Sequence, residues 1–100
     1  MEKRERDVEA WLRRQIENLG GKAMKFISPG NNGVPDRIVI LPGGRIWFIE
    51  LKKEGGRPSG IQKWQAEQLR KLGCNVATIA GMEQARTWIK EVMPHEVHTT

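Results

Sequence analysis

The chain has 100 residues, 38% hydrophobic and 29% charged, with a net charge of +5 and a single cysteine. That size and balance describe one globular domain with one core and exclude a second domain. They exclude an intrachain disulfide, and no apolar run approaches the roughly 20 residues needed to cross a bilayer. The basic balance points to a polyanionic partner, nucleic acid first. The charged start, MEKRERD, has no apolar core behind it, so no signal peptide is expected. Together with the lone Cys74, this predicts a reducing, cytoplasmic setting.

Residues Glu5 to Leu19 carry Val8, Trp11, Leu12, Ile16 and Leu19 at helical spacing, and Gly20-Gly21 stops the helix. Glu9 lies near its start, where an acidic side chain favours the positive end of the helix dipole. Lys22 to Ile27 reads as a first strand, with Ala23, Lys25 and Ile27 on one face. Ser28-Pro29-Gly30-Asn31-Asn32-Gly33 is a breaker-rich loop, expected to turn the chain or to act as a flap over a phosphate.

The stretch Gly33 to Lys52, GVPDRIVILPGGRIWFIELK, holds two apolar runs around Pro42-Gly43-Gly44. It predicts a β-hairpin over Asp36 to Leu41 and Arg45 to Lys52. The short loop pairs Leu41 with Arg45, Ile40 with Ile46 and Ile38 with Phe48, and the same register sets Asp36 opposite Glu50. Alternation puts Glu50 and Lys52 on one face, with Trp47, Ile49 and Leu51 on the other. Two carboxylates and an ammonium thus converge at the open end of the hairpin. Like charges so placed destabilise a sheet. A raised pKa on one acid relieves the cost, as does a hard divalent cation.

Lys53 to Ser59 is a polar connector. Ser59 or Gly60 caps a helix over Ile61 to Leu72, with Ile61, Trp64, Gln65, Gln68, Leu69 and Leu72 expected inward. Gln62 falls in its first turn. Asn75 to Ala80 is a last strand, which requires a right-handed parallel crossover from the hairpin. Met82 to Met93 closes the chain as a helix, with Ala85, Trp88, Ile89 and Val92 inward, and residues 94–100 read as a frayed tail. His95 and His98 lack a third ligand nearby, so no zinc site is expected there.

The ordered series Ser28-Pro29-Gly30, Gly33-Val34-Pro35-Asp36-Arg37, Phe48-Ile49-Glu50-Leu51-Lys52 and Gln62 resembles the VRR-NUC family of small phage and bacterial nucleases. That family belongs to the PD-(D/E)xK superfamily, and the likeness runs from about Val8 to Ala80. It implies an α/β, restriction-endonuclease-like fold, α-β-β-β-α-β plus a C-terminal helix, with a mixed four-stranded sheet. It implies a Mg²⁺- or Mn²⁺-dependent DNA endonuclease, with branched DNA such as Holliday junctions as substrate and a homodimer as the working form.

By the same resemblance Asp36, Glu50 and the Leu51 carbonyl hold the metal. Glu9 joins them from the first helix, with Glu5 as the fallback. Lys52 positions the attacking water and Gln62 assists. Ser28, Lys25, Arg37, Lys53 and Arg57 are the expected nucleic-acid contacts. The alternatives are a non-catalytic basic nucleic-acid-binding module, or a nuclease with a sequence-specific DNA or RNA target.

Overall fold

The computed structural model describes residues 4–94; the tail and the His95/His98 pair lie outside them. The order is α1 (Glu5–Asn18), β1 (Lys22–Lys25), β2 (Arg37–Leu41), β3 (Arg45–Lys52), α2 (Gly60–Lys71), β4 (Asn75–Ala80) and α3 (Met82–Val92). The strands form one sheet in the order β1-β2-β3-β4. The first two pairings are antiparallel and β3–β4 is parallel. This is the mixed sheet predicted from the crossover.

The hairpin register is the predicted one, from Leu41↔Arg45 through Ile38↔Phe48 to Arg37↔Ile49. Its loop works because Gly43 and Gly44 both adopt positive φ, 86° and 75°, which L side chains resist. The Gly44 N–H donates to the Leu41 carbonyl across the turn.

One sheet face carries the core. Val39, Leu41, Ile49, Leu51 and Ile79 project from it and are buried by Val8, Leu12 and Ile16 of α1 and by Ala85, Trp88, Ile89 and Val92 of α3. Trp47 meets Trp88 edge-on, with ring centroids 5.5 Å apart. Ile49 has no exposed surface. Ile49→Ala is therefore expected to cost about 2–5 kcal/mol, since a buried branched side chain leaves a cavity on truncation. Urea unfolding monitored by circular dichroism measures this as a lowered midpoint at unchanged slope.

Two expectations need correction. β1 ends at Lys25 rather than Ile27, because β2 supplies partners only for Lys22 to Lys25, and Ile27 beyond it is 78% exposed. The larger correction concerns α2. Ile61, Trp64 and Leu72 are 48%, 55% and 80% exposed, and the buried member is Ala66. The helix lies over β4 on the opposite sheet face with Ala66 toward the strands. Hydrophobicity alone points its apolar residues inward, but its docking is dictated by small and polar groups at the site described below.

Candidate active site

β3 is longer than its neighbour. Its last pair with β2 is Arg37↔Ile49, while Glu50, Leu51 and Lys52 continue alongside Thr78, Ile79 and Ala80 of β4. Beyond Arg37 the β2 side of β3 has no strand. Asp36 is therefore not a ladder residue, as the register had suggested, but the first residue past the ladder. Pro35, which precedes it, has no N–H to continue the pairing. The Asp36 side chain takes over: Oδ1 accepts from the Leu51 N–H at 3.3 Å. Its own carbonyl accepts from Phe26 N at 2.9 Å, which holds the backbone against the end of β1.

Among the described residues Glu50 is the one buried charged residue, 7% exposed. Its Oε2 accepts from Gln62 Nε2 at 3.0 Å and lies 3.7 Å from Lys52 Nζ. Gln62 is itself oriented by a capping box. Ser59 N donates to Gln62 Oε1 at 2.9 Å, and Gln62 N donates to Ser59 Oγ at 3.3 Å. With Oε1 committed to a backbone donor, the amide must turn its NH₂ toward Glu50. Thus the start of α2 serves as a second support for the carboxylate, which explains why polar contacts rather than Ile61 and Trp64 set its docking.

The electrostatics follow. Burial pushes the Glu50 pKa up to about 7; the Asp36 charge adds to the rise, Lys52 opposes it, and Glu5 contributes last. Asp36 is also raised, chiefly by burial, against the pull of Arg37, the Leu51 N–H and Lys52. Two acids that disfavour each other's charge are held at one strand end, with a lysine beside them.

Such a pair suits a hard cation. Among the described residues these hydrogen bonds and ion pairs engage Oδ1 of Asp36 and Oε2 of Glu50, so the second oxygen of each can take another ligand. Among the described residues no cluster of three or more acidic, histidine or cysteine ligands gathers. A site completed by waters fits that count, because Mg²⁺ commonly keeps several waters and takes one or two carboxylates.

The two α1 candidates separate. Glu9 Oε2 lies 3.5 Å from Arg37 Nε, and the Arg37 Nη1 donates to the Asp36 carbonyl at 3.0 Å. Glu9 is thus engaged by Arg37, whereas Glu5, one turn earlier, is the α1 acid whose charge reaches Glu50. Arg37 lies between the two acids and keeps part of its side chain, 19%, exposed. Lys25, Lys53 and Arg57 are exposed around the same end of the sheet. Ser28 Oγ accepts from Asn31 Nδ2 at 2.9 Å within its own loop. That loop is anchored: Gln65 Nε2 donates to the Asn32 carbonyl at 3.0 Å. A Cβ on Gly33, at φ 86°, would come within 2.9 Å of the Ile61 backbone. Neither Gln65 nor the full capping box was read as part of the site from sequence, although Ser59-Gly60-Ile61-Gln62 carries the box pattern.

No family-wide sequence model matches the chain. A curated relative, "Putative nuclease p44" of Acyrthosiphon pisum secondary endosymbiont phage 1, is 42% identical over 76 residues, covering 76% of this chain and 82% of its own length. A solved structure described as "VRR_NUC domain" superposes with a TM-score of 0.83 at 36% identity, covering 88% of this chain and 96% of that one. The chain belongs to the VRR-NUC family of nucleases. A second structure, "VRR_NUC domain protein", shares the fold at a TM-score of 0.68 and 22% identity, over 90% of this chain and 88% of that one. In this VRR-NUC chain, the Pro35-Asp36 and Glu50-Leu51-Lys52 segments meet where β3 outruns β2.

Proposed function

We propose that the protein is a Mg²⁺- or Mn²⁺-dependent DNA endonuclease selective for branched substrates such as Holliday junctions, acting as a homodimer in the cytoplasm of a bacterial or phage-infected cell. The observation that carries the hydrolytic part is the Asp36–Glu50–Lys52 end of β3, with a buried acid raised to about 7. Asp36, Glu50 and the Leu51 carbonyl hold the cation, and an α1 acid, Glu9 or Glu5 one turn earlier, extends the site through water. When bound, the ion lowers the pKa of a water and polarises a phosphoryl oxygen.

The chain's own groups do the rest. Gln62 keeps the Glu50 carboxylate in one orientation. Lys52, only loosely paired at 3.7 Å, is free to turn its ammonium toward the attacking water or the developing negative charge. The exposed Lys25, Lys53 and Arg57 contact backbone phosphates, which positions DNA without reading bases. A junction presents two symmetric strands for cutting, and a twofold dimer matches that symmetry.

The test is a cleavage panel with Mg²⁺ or Mn²⁺ across duplex, single-stranded, flap, four-way and supercoiled DNA, plus RNA. Preferential cutting of the four-way substrate supports the proposal. Cutting of RNA alone, or no cutting with either metal, overturns it. DNA affinity should also depend on salt through counterion release. If about four phosphates are neutralised, the dissociation constant rises roughly a hundredfold between about 50 and 200 mM salt. Fluorescence anisotropy of a labelled junction in Ca²⁺ reads this directly.

A further inference from the structure

We propose that the groove between α2 and β4 receives one unpaired nucleobase adjacent to the scissile phosphate, an inference that rests on the nuclease reading of the neighbouring site. The groove is a cavity of about 340 Å³ whose lining includes Glu50 and Gln62, so it opens into the hydrolytic end of β3. Whatever flanks the phosphate held there lies at the mouth of this cavity, and in a nucleic acid that neighbour is a sugar and its base.

The walls suit a base. Pro35, Pro58, Ala66 and Val76 supply apolar surface, and Trp64 adds an indole that is 55% exposed. An exposed aromatic beside a nucleic-acid site is a stacking platform that accepts any base. Thr78 and Glu67 also line the cavity and offer a hydroxyl and a carboxylate to a base edge. Arg70 closes one side, with Nη2 donating to the Val76 carbonyl at 3.2 Å.

The groove is held open by its own supports. Gln62 ties the start of α2 to Glu50, and Gln65 ties its middle to the Asn32 carbonyl. Between these ties the helix stands off the sheet and buries only Ala66. A cavity of this size accommodates a nucleobase, and a base that is still paired is held away from it by its partner and its stack. A base must leave its stack to enter, and it does so at least cost where pairing is already broken, as at a branch point. The groove therefore supplies a local reason for preferring branched over continuous duplex DNA.

The experiment uses the best substrate of the cleavage panel, with an abasic nucleotide placed in turn at each position flanking the mapped cut. It is run on the wild-type protein, Trp64→Ala and Ala66→Leu, the second of which narrows the groove. Thermal melting of each variant confirms folding, and Trp64, being exposed, tolerates truncation. The expected result is one position at which the abasic change slows wild-type cleavage at least about fivefold. Trp64→Ala should slow the intact substrate by a similar factor and show no further loss with the abasic one. Independent, multiplying effects, or no sensitive position, overturn the base pocket. So does a Trp64→Ala protein that turns from dimer to monomer by sedimentation without any base dependence, which assigns the groove to a second copy of the chain. Failure of the wild-type protein to cut any substrate counts against the nuclease reading, and appears before either variant is made.

Discussion

Glu50→Gln is expected to abolish cleavage, lowering the rate by a factor of about 10³ or more, while junction affinity stays within about threefold. The magnitude reflects what is removed: one of the two carboxylates proposed to hold the cation, whose chemistry accounts for several kcal/mol at the transition state. Binding should survive because the proposed phosphate contacts are the exposed Lys25, Lys53 and Arg57, not the acid. Asp36→Asn should behave alike in cleavage. Quenched-flow or gel cleavage assays beside anisotropy separate the two quantities, and either variant cutting at the wild-type rate removes the site assignment.

The same substitution should stabilise the metal-free fold. Folding raises the Glu50 pKa from 4.5 to about 7. Between those values the folded chain holds a proton that the unfolded chain has released. Stability of the metal-free protein therefore falls as pH rises through that window and stays lower above it. The full shift corresponds to roughly 3 kcal/mol, and water in the adjoining groove reduces this to about 1–2 kcal/mol. Glu50→Gln removes that cost at pH 8 yet keeps a carbonyl for the Gln62 amide to bond. A higher melting temperature for the inactive variant at pH 8, converging with wild type near pH 5, is the expected signature. Added Mg²⁺ should raise the wild-type melting temperature more than that of the variant.

What was legible in the sequence divides along physical lines. The hairpin was readable because Pro42-Gly43-Gly44 permits only a short loop, and a short loop leaves no freedom in register. The face of β3 that carries Trp47, Ile49 and Leu51 followed from alternation alone. The position of Asp36 past the last rung did not follow, because a register says where pairing continues but not where a partner strand stops. The side-chain bond from Leu51 N to Asp36 is tertiary information. Helix α2 misled for a different cause. Its apolar residues suggest burial of Ile61, Trp64 and Leu72, yet its pose is set by Gln62 bonded to Glu50 and Gln65 bonded to Asn32. Polar anchors of that kind carry no periodic signature. The pairing of Glu9 with Arg37 is likewise tertiary information, since it joins a residue of α1 to one of β2.

Lys52→Ala should lower the turnover number by about 10²- to 10³-fold, the scale seen when one preorganised stabiliser of transition-state charge is removed. Metal affinity should change far less, and the direction is set by Glu50. Lys52 holds the Glu50 pKa down, so its loss lets a proton compete better with the cation near pH 7. Well above the Glu50 pKa of either protein the carboxylate is ionised in both and that competition vanishes. The two effects therefore separate on a pH axis. Any weakening of Mg²⁺ binding, followed by calorimetric titration, should fade as pH rises, whereas the loss in turnover at saturating Mg²⁺ should persist. A turnover deficit that disappears at high pH would mean that Lys52 acts only by keeping Glu50 charged. A deficit that remains places its ammonium on the water or the phosphate, as the 3.7 Å separation from Glu50 allows. Lys52→Arg sharpens the distinction, since it retains the charge that depresses Glu50 but replaces a compact ammonium with a planar fork. It should restore metal binding near pH 7 and recover little of the turnover.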